Sequence, residues 1–190
     1  MIKIVISAQE LLEDSFRLGL RVLEDGFRPT LIIAIWRGGT PVGMAVQEIL
    51  AYAGVDSDHI AIRTSSYSGV DQRSTVAVHG LNYIVKKICF DDRVLIVDDV
   101  FDTGNTIAAV ISELSRRARD NMPGDIRVAV PWYKPSRNQT GIVPNYFIHQ
   151  ASDWLVFPHE LDALTAAELR QHRPKIAAVI EHVGQHTVRT

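Results

Sequence analysis

The residues of this chain that could do chemistry are concentrated between Val94 and Ile107. An apolar run, Val94–Val97, ends in the pair Asp98 and Asp99, and a third carboxylate follows three positions later. Acidic residues this close together at the end of a buried strand are electrostatically costly unless a ligand or a metal ion is bound. Their carboxylates can accept hydrogen bonds from a ribose diol or bind Mg²⁺, directly or through water. We therefore predict that Asp98 and Asp99 bind a sugar and a magnesium ion.

A phosphate-binding loop is predicted directly after this acidic pair. It combines a carboxylate, two hydroxyl groups, a glycine and an amide, in the order Asp102, Thr103, Gly104, Asn105 and Thr106. The loop opens a helix, and the backbone N–H groups at a helix N-terminus bind phosphate groups. Groups for a diol and for a phosphate side by side indicate a ribose phosphate. The alternative is an ordinary strand end followed by a helix cap, which explains single residues of the segment but not all of them together.

The elements around this segment alternate between strand-like and helix-like apolar spacing, which is typical of a parallel α/β sheet. Strands are predicted over residues 31–36, 59–63, 76–79, 93–99, 125–132 and 145–149. Helices are predicted over about 7–26, 42–53 and 107–119, after a capping box at Thr165, and after Pro174. The first helix is expected to carry its apolar face on Leu12, Phe16, Leu20 and Leu23. The polar stretch from 64 to 75 is expected to be a mobile loop.

Composition limits the classes of protein that this chain can represent. Its 190 residues argue for one domain, and 20 Lys+Arg against 22 Asp+Glu leave a net charge of −2, so no non-specific nucleic-acid binding is expected. The apolar runs are too short for a membrane helix, and the first residues are too short for a signal peptide. Cys89 is the single cysteine, which excludes an intrachain disulfide and predicts a reducing cytoplasm and a buried thiol.

The segment from Val94 to Ile107 resembles the diphosphate-sugar binding motif of the type I phosphoribosyltransferases: a hydrophobic strand, two acidic residues and an Asp-Thr-Gly-x-Thr loop. The resemblance extends to about Glu160. It implies an α/β fold, with a central parallel sheet flanked by helices and a small subdomain formed by a hood and a base-binding region. We expect the domain over residues 1–164, with the hood at about 64–82 and the base-binding region at about 145–160. A C-terminal helical tail is expected over 165–190.

The resemblance also assigns residues to the diphosphate group. Arg37, Gly38 and Gly39 look like the diphosphate loop of the family, in which small residues let backbone N–H groups approach and the arginine offers charge. The family often has a cis peptide there, and we expect it between Trp36 and Arg37. Ser66 and Tyr67 look like the start of the flexible hood, and Arg73 is expected to reach the diphosphate from it. The alternatives are a plain strand-to-helix turn and a solvated hairpin.

The base-binding residues follow from the same resemblance. The 6-oxopurine enzymes of the family have an aspartate at the first position of the Thr-Gly loop, here Asp102, which would face the purine N7 and act as the general acid or base. Its alternative is a helix N-cap. Lys134 would donate to the 6-oxo group, Trp154 would stack on the purine, and the backbone of Leu155 would meet its 2-position. Trp154 could instead be a core aromatic. His159 stands where several relatives have a second tryptophan.

These assignments predict a Mg²⁺-dependent transferase for purine salvage. It would join hypoxanthine or guanine, with xanthine as a third candidate, to phosphoribosyl diphosphate. The products would be a nucleoside 5′-monophosphate and diphosphate. One alternative is a phosphoribosyltransferase for another nucleobase. Another is a regulator of the same fold that senses ribose phosphates and binds nucleic acid. No membrane partner is expected, and the family resemblance implies a homodimer or homotetramer.

Overall fold

A computed structural model describes residues 3–67 and 75–186 of the chain. The strands are β1 (Lys3–Val5), β2 (Leu31–Trp36), β3 (Asp58–Tyr67), β4 (Thr75–His79), β5 (Arg93–Val97), β6 (Val100–Phe101), β7 (Asp125–Tyr133), β8 (Tyr146–Gln150) and β9 (Trp154–Val156). The helices are α1 (Ala8–Glu24), α2 (Gly39–Tyr52), α3 (Asn82–Val85), α4 (Asn105–Ala118), α5 (Ala166–His172) and α6 (Pro174–His186). Short 3₁₀ turns lie at Arg119–Asn121 and Pro135–Arg137.

The chain divides into two compact units. The larger unit is Gln9–Ser152, and the smaller unit joins Met1–Ala8 to Asp153–Thr190. The base-binding region predicted at about 145–160 is therefore divided between the two units, and its part from residue 153 onward belongs to the same unit as the C-terminal helices. The sequence-based boundary, in contrast, lies after residue 164.

The larger unit is built on a seven-stranded sheet with the order β4-β3-β2-β5-β7-β6, in which β8 also pairs with β7. Strands β2, β3, β5, β6, β7 and β8 are joined by parallel pairings, and β4 alone runs antiparallel, against β3. Strands β2 and β5 lie side by side at the centre, in the register Leu31 opposite Val94. Because neighbouring parallel strands end at the same edge of the sheet, the loops after β2, β5 and β7 come together there. The fold is the α/β fold with a central, mostly parallel sheet that the sequence predicts.

The two faces of this sheet are covered by different helices. One face packs Ile33 of β2 and Ile96 of β5 against Ile107 and Val110 of α4, all of them buried. On the other face, Gly43 of α2 lies against Ala34, where an added Cβ would be 2.7 Å from the Ala34 Cβ. Burial on both faces explains the continuous apolar runs of β2 and β5, since neither strand has a side exposed to water.

The first helix packs with a face other than the one that the sequence predicts. The exposed side chains include Leu12, Phe16 and Leu20, which are 44%, 38% and 45% exposed. The buried side is formed by Leu11, Asp14, Ser15, Leu18, Gly19 and Val22. An added Cβ on Gly19 would be 2.3 Å from Ile49 Cγ2, so α1 approaches α2 closely at this position. The helix has two apolar stripes, and this close approach selects the one that contains the small residues.

The polar stretch after residue 63 is more regular than the sequence predicts. Strand β3 continues to Tyr67 and forms an antiparallel hairpin with β4, in which Ser65 lies opposite Ala77. The expectation of a loop over residues 64–67 is therefore wrong, because backbone pairing with β4 holds these polar residues in a strand. The strand expected at 76–79 is confirmed.

The smaller unit consists of β1, β9, α5 and α6. Strand β1 pairs in parallel with β9, with Ile4 opposite Leu155. The capping box expected at Thr165 is confirmed: its hydroxyl accepts from the Glu168 backbone, and the Glu168 carboxylate accepts from the Thr165 backbone. Lys3 pairs with the same carboxylate at 2.8 Å, and these contacts lower the pKa of Glu168 to about 2. No helix within the described ranges is long and apolar enough to cross a membrane.

Candidate active site

Gly38 and Gly39, two of the predicted diphosphate residues, meet the predicted sugar residues Asp98 and Asp99 at the carboxyl edge of the large sheet. The loop after β2 and the acidic pair after β5 lie in direct contact. An added Cβ on Gly38 would be 1.9 Å from Asp99 Oδ2, and one on Gly39 would be 2.5 Å from the Val97 carbonyl oxygen. Only residues without a side chain fit here, so the two glycines are required for this approach.

The acidic pair is held in place by backbone hydrogen bonds. The Asp98 carboxylate accepts from the Asp99 backbone N–H at 3.0 Å and from the backbone N–H of Gly39. Burial and the neighbouring charge of Asp99 nevertheless raise the pKa of Asp98 well above its ordinary value. Two adjacent carboxylates at the end of a buried strand favour a bound cation.

A magnesium ion fits this arrangement through few protein ligands. Across residues 3–67 and 75–186, no group of three or more His, Cys, Asp and Glu side chains is placed to hold a metal ion. Mg²⁺ is commonly bound by one or two carboxylates together with water and substrate phosphate oxygens. Asp98 and Asp99 are the residues that would hold it, directly or through water.

The loop from Asp102 to Asn105 has the geometry of a helix N-terminal site. Gly104 precedes α4 with φ +81°, in the left-handed region that favours glycine. An added Cβ on it would lie 2.6 Å from Thr140 Oγ1. The Thr103 hydroxyl accepts from the Asn105 backbone at 3.3 Å, which folds the loop onto the first turn of α4. The N-cap of α4 is Gly104, so the alternative of Asp102 as the N-cap is wrong. The Asp102 carboxylate makes other contacts.

Asp102 and Lys134 come together, as the sequence-based assignment requires. Lys134 follows the end of β7, its backbone N–H donates to the Phe101 carbonyl at 2.9 Å, and its side chain is 7% exposed. Its Nζ lies 3.7 Å from Asp102 Oδ2. A surface position for this lysine is therefore excluded. The other carboxylate oxygen of Asp102 accepts from Arg137 Nε.

Arg137 is the charged residue at this site that the sequence reasoning missed. It lies in the 3₁₀ turn Pro135–Arg137, three positions after Lys134. The proline after Lys134 indicates a turn, but nothing in the sequence indicates that the turn brings Arg137 to Asp102. Gln139 was missed as well: its side chain accepts from Asn105 Nδ2 at 3.3 Å.

The diphosphate side of the site is described in part. A cis peptide joins Trp36 to Arg37, at the position expected from the family resemblance, and Arg37 is exposed. The Thr40 hydroxyl oxygen, at the start of α2, is buried without a hydrogen-bond partner among the described residues. Only the backbone is described for Ser66 and Tyr67, and Arg73 lies outside the described residues. The diphosphate roles of these three stay predictions.

The predicted base-binding strand belongs to the smaller unit. Trp154 is 47% exposed on β9, so it is not a core aromatic. Leu155 is buried, with its backbone in the pairing with β1. The roles of both residues at the purine stay predictions. Cys89 is exposed, so the expectation of a buried thiol is wrong.

Comparison with known proteins agrees with this geometry. The sequence model of the phosphoribosyl transferase domain family matches residues 5–163. A hypoxanthine/guanine phosphoribosyltransferase from Methanocella arvoryzae is 38% identical over 89 residues, which make up 44% of this chain and 42% of that protein. The matched part is thus less than half the length of this curated relative.

Two solved structures extend the likeness to most of the chain. The purine phosphoribosyltransferase from Pyrococcus horikoshii is 29% identical, with a TM-score of 0.64, over 85% of this chain and 96% of that one. The xanthine-guanine-hypoxanthine phosphoribosyltransferase from Helicobacter pylori is 22% identical, also with a TM-score of 0.64, over 90% of this chain and 100% of that one. At that lower identity the likeness concerns the fold.

The sheet, its acidic edge and the Thr-Gly loop define a type I phosphoribosyltransferase fold. The chain belongs to the phosphoribosyl transferase domain family, since the family model covers far more than half of it.

Proposed function

We propose that this protein transfers the 5-phosphoribosyl group of phosphoribosyl diphosphate to a 6-oxopurine, hypoxanthine or guanine, with xanthine as a third candidate. Family membership supports phosphoribosyl transfer, and the names of the relatives support a purine acceptor. The observation that carries the proposal is the pair formed by Asp102 and Lys134, whose charged atoms are 3.7 Å apart at the site edge. A 6-oxopurine differs from adenine in having an acceptor at position 6, and Lys134, which can only donate, favours that acceptor over the 6-amino group of adenine.

The residues would divide the reaction as follows. The purine N9 forms a bond to C1′ of the ribose while the bond from C1′ to the diphosphate oxygen breaks. Asp102 takes up or returns the purine proton, and Lys134 donates to the 6-oxo oxygen. Asp98 and Asp99 bind the ribose hydroxyl groups and stabilise positive charge on the ring. Bound Mg²⁺ would neutralise the departing diphosphate, whose oxygens Arg37 and the Gly38 and Gly39 backbone would contact.

A panel of bases tests this proposal. Hypoxanthine, guanine, xanthine, adenine and uracil are each incubated with phosphoribosyl diphosphate and Mg²⁺, and turnover is followed by absorbance. We expect transfer to 6-oxopurines, its loss on chelation of the metal, and little transfer to adenine or uracil. Transfer only to adenine or uracil would replace the proposed acceptor. No turnover with any base would favour the ribose-phosphate sensor that binds nucleic acid.

Asp102→Asn separates chemistry from binding in the same assay. The amide keeps the shape of the side chain but cannot accept a proton, so kcat should fall by about 10²–10⁴-fold, the usual contribution of a general acid or base. Binding of phosphoribosyl diphosphate, measured by calorimetry, should persist. Asp120→Asn, at an exposed position after α4, is the matched control. An unchanged kcat in Asp102→Asn would remove the acid–base role.

We further propose that the protein is a cytoplasmic homodimer or homotetramer. The exposed stripe of Leu12, Phe16 and Leu20 on α1 supports self-association, because apolar side chains grouped at helical spacing favour a partner surface. A single, exposed cysteine is consistent with a reducing compartment. Light scattering of the purified chain measures the assembly, and a monomer at micromolar concentration would contradict it.

A further inference from the structure

The loop that contains Asp102 is hydrogen-bonded to the segment Lys134–Thr140. The Lys134 backbone N–H donates to the Phe101 carbonyl, and the Gln139 backbone N–H donates to the Thr103 carbonyl, both at 2.9 Å. The Asn105 amide completes the attachment by donating to Gln139 Oε1 at 3.3 Å. Residues proposed for the purine and residues proposed for the ribose phosphate therefore share one hydrogen-bonded loop pair.

Within this loop pair the Asp102 carboxylate lies between two cations. Arg137 Nε donates to Oδ1, and Lys134 Nζ lies 3.7 Å from Oδ2. The two cations differ in exposure: the Lys134 side chain is 7% exposed and the Arg137 side chain is 52% exposed. Each oxygen of the carboxylate thus has its own positively charged neighbour.

The two cations have different tasks once a purine is bound. The proposed function assigns the Lys134 ammonium to the 6-oxo oxygen of the base. Because the ammonium then donates to the base, it interacts less with the Asp102 carboxylate. The guanidinium of Arg137 has no such assignment, and its planar fork fixes the direction of a carboxylate better than an ammonium does. Its Nε already donates to Asp102 Oδ1, so it can remain the partner of the carboxylate when Lys134 donates to the base.

We propose that Arg137 is a positioning residue for Asp102: it orients the carboxylate toward the purine nitrogen while Lys134 binds the base. The proposal rests on the proposed function, since it presupposes that Asp102 exchanges a proton with a purine. A positioning residue of this kind affects the rate of the chemical step and leaves the binding of phosphoribosyl diphosphate nearly unchanged. A merely structural ion pair at a half-exposed position would contribute little to either.

A double-mutant cycle tests this coupling. Arg137→Gln, Asp102→Asn and the double variant are compared with the wild-type chain for kcat and for the KM of each substrate, with the base that the panel identifies. We expect Arg137→Gln to lower kcat by about 10-fold or more, less than the loss of the acid–base group itself, with the KM for phosphoribosyl diphosphate little changed. In the Asp102→Asn background the same substitution should have no further effect, because its target is gone.

Two further variants make the result specific. Arg137→Lys keeps the charge and should recover part of the lost kcat. Arg116→Gln, which breaks a bidentate pair with Glu113 on the exposed surface of α4, is the matched control and should leave all parameters unchanged. Melting temperatures of all variants identify any loss of folding, and if Arg137→Gln does not fold, Arg137→Lys carries the comparison.

The outcomes separate the two proposals. Suppose first that the wild-type chain turns over a 6-oxopurine. An unchanged kcat in Arg137→Gln, or an equal loss of kcat on this substitution in the wild-type and Asp102→Asn chains, would then overturn the role of Arg137 and leave the proposed function intact. If the wild-type chain turns over none of the bases, the proposed function fails and the role of Arg137 fails with it.

Discussion

The contact between Asp99 and Gly38 shows how closely the two loops of the site fit together. Only glycine fits at position 38, since a Cβ there would lie 1.9 Å from Asp99 Oδ2. Gly39 adds a hydrogen bond from its backbone to Asp98, so the diphosphate loop also orients the acidic pair. Substrate groups bound by one loop are therefore positioned relative to those bound by the other.

Gly38→Ala should disrupt both loops at once. The methyl group must displace either the Asp99 carboxylate or the loop backbone, and overpacking of this kind typically costs about 1–3 kcal/mol. We expect the KM for phosphoribosyl diphosphate to rise by about 2- to 13-fold if half of that cost appears as lost binding. Steady-state kinetics and thermal unfolding measure the two effects. Gly141→Ala, where an added Cβ meets nothing within 4 Å, is the control, and equal behaviour of the two variants would contradict the argument.

At the residue scale, the sequence predicts which residues do chemistry more reliably than it predicts which side chains contact one another. Asp98, Asp99 and Asp102 are recognisable because carboxylates seldom gather at a buried strand end without a ligand. Arg137 is not recognisable in this way, because an arginine in a polar loop is usually solvated. Its contact with Asp102 depends on the 3₁₀ turn after Lys134, which no periodic pattern encodes.

At the scale of elements, Tyr146 connects three parts of the larger unit. Its hydroxyl group, on β8, donates to Asp25 just after α1 at 2.8 Å and accepts from Arg127 on β7 at 2.6 Å. Burial, followed by the hydrogen bond to Asp25, raises the pKa of Tyr146 to about 12. The side chain is 6% exposed, so the neutral hydroxyl group is the form that the fold accommodates.

This raised pKa predicts a loss of stability in alkaline solution. A tyrosine whose pKa is higher in the folded than in the unfolded state stabilises the fold fully below its ordinary pKa of 10.0, and the contribution disappears as the pH rises through about 12. The free energy of unfolding, measured by urea denaturation, should therefore decline over this range. Tyr146→Phe should remove that part of the decline, whereas Tyr52→Phe, at a position 94% exposed, should not. An identical decline in wild type and Tyr146→Phe would refute the assignment.

Strand positions follow from the sequence more reliably than helix orientation does. Strands β2 and β5 are buried on both faces, so their apolar runs have one interpretation. Helix α1 has two apolar stripes, and the buried one is selected by the close approach of Gly19 to Ile49, a contact between residues far apart in sequence. Strand β3 is longer than predicted for a similar reason, because its polar end is held by pairing with β4.

At the scale of the whole molecule, the C-terminal tail stabilises the end of β9 and the turn after it, a role that its sequence does not indicate. Arg173, between α5 and α6, donates to the carbonyl oxygens of Glu160 at 2.6 Å and Phe157 at 2.8 Å. It also reaches the carbonyl oxygens of Pro158 and Val156 at 3.3 and 3.4 Å. These carbonyl groups belong to the end of β9 and the turn after it, directly following the predicted base-binding residues. The tail therefore holds in place the strand to which the purine is assigned.

Arg173→Gln should consequently affect the base and not the sugar. A shorter, neutral side chain removes the donor described for the carbonyl groups of Pro158 and Glu160, at about 1–3 kcal/mol for each one that water cannot reach. The carbonyl groups of Val156 and Phe157 keep the backbone N–H groups of Ile6 and Glu160 as donors. We expect a lower melting temperature and a higher KM for the purine, with the KM for phosphoribosyl diphosphate unchanged, because the acidic pair and the Thr-Gly loop lie in the larger unit. Arg170→Gln is the matched control, since that arginine is 63% exposed and pairs only with Glu181 among the contacts described for it. If the two substrates respond equally to Arg173→Gln, the tail supports general stability and does not position the base-binding strand.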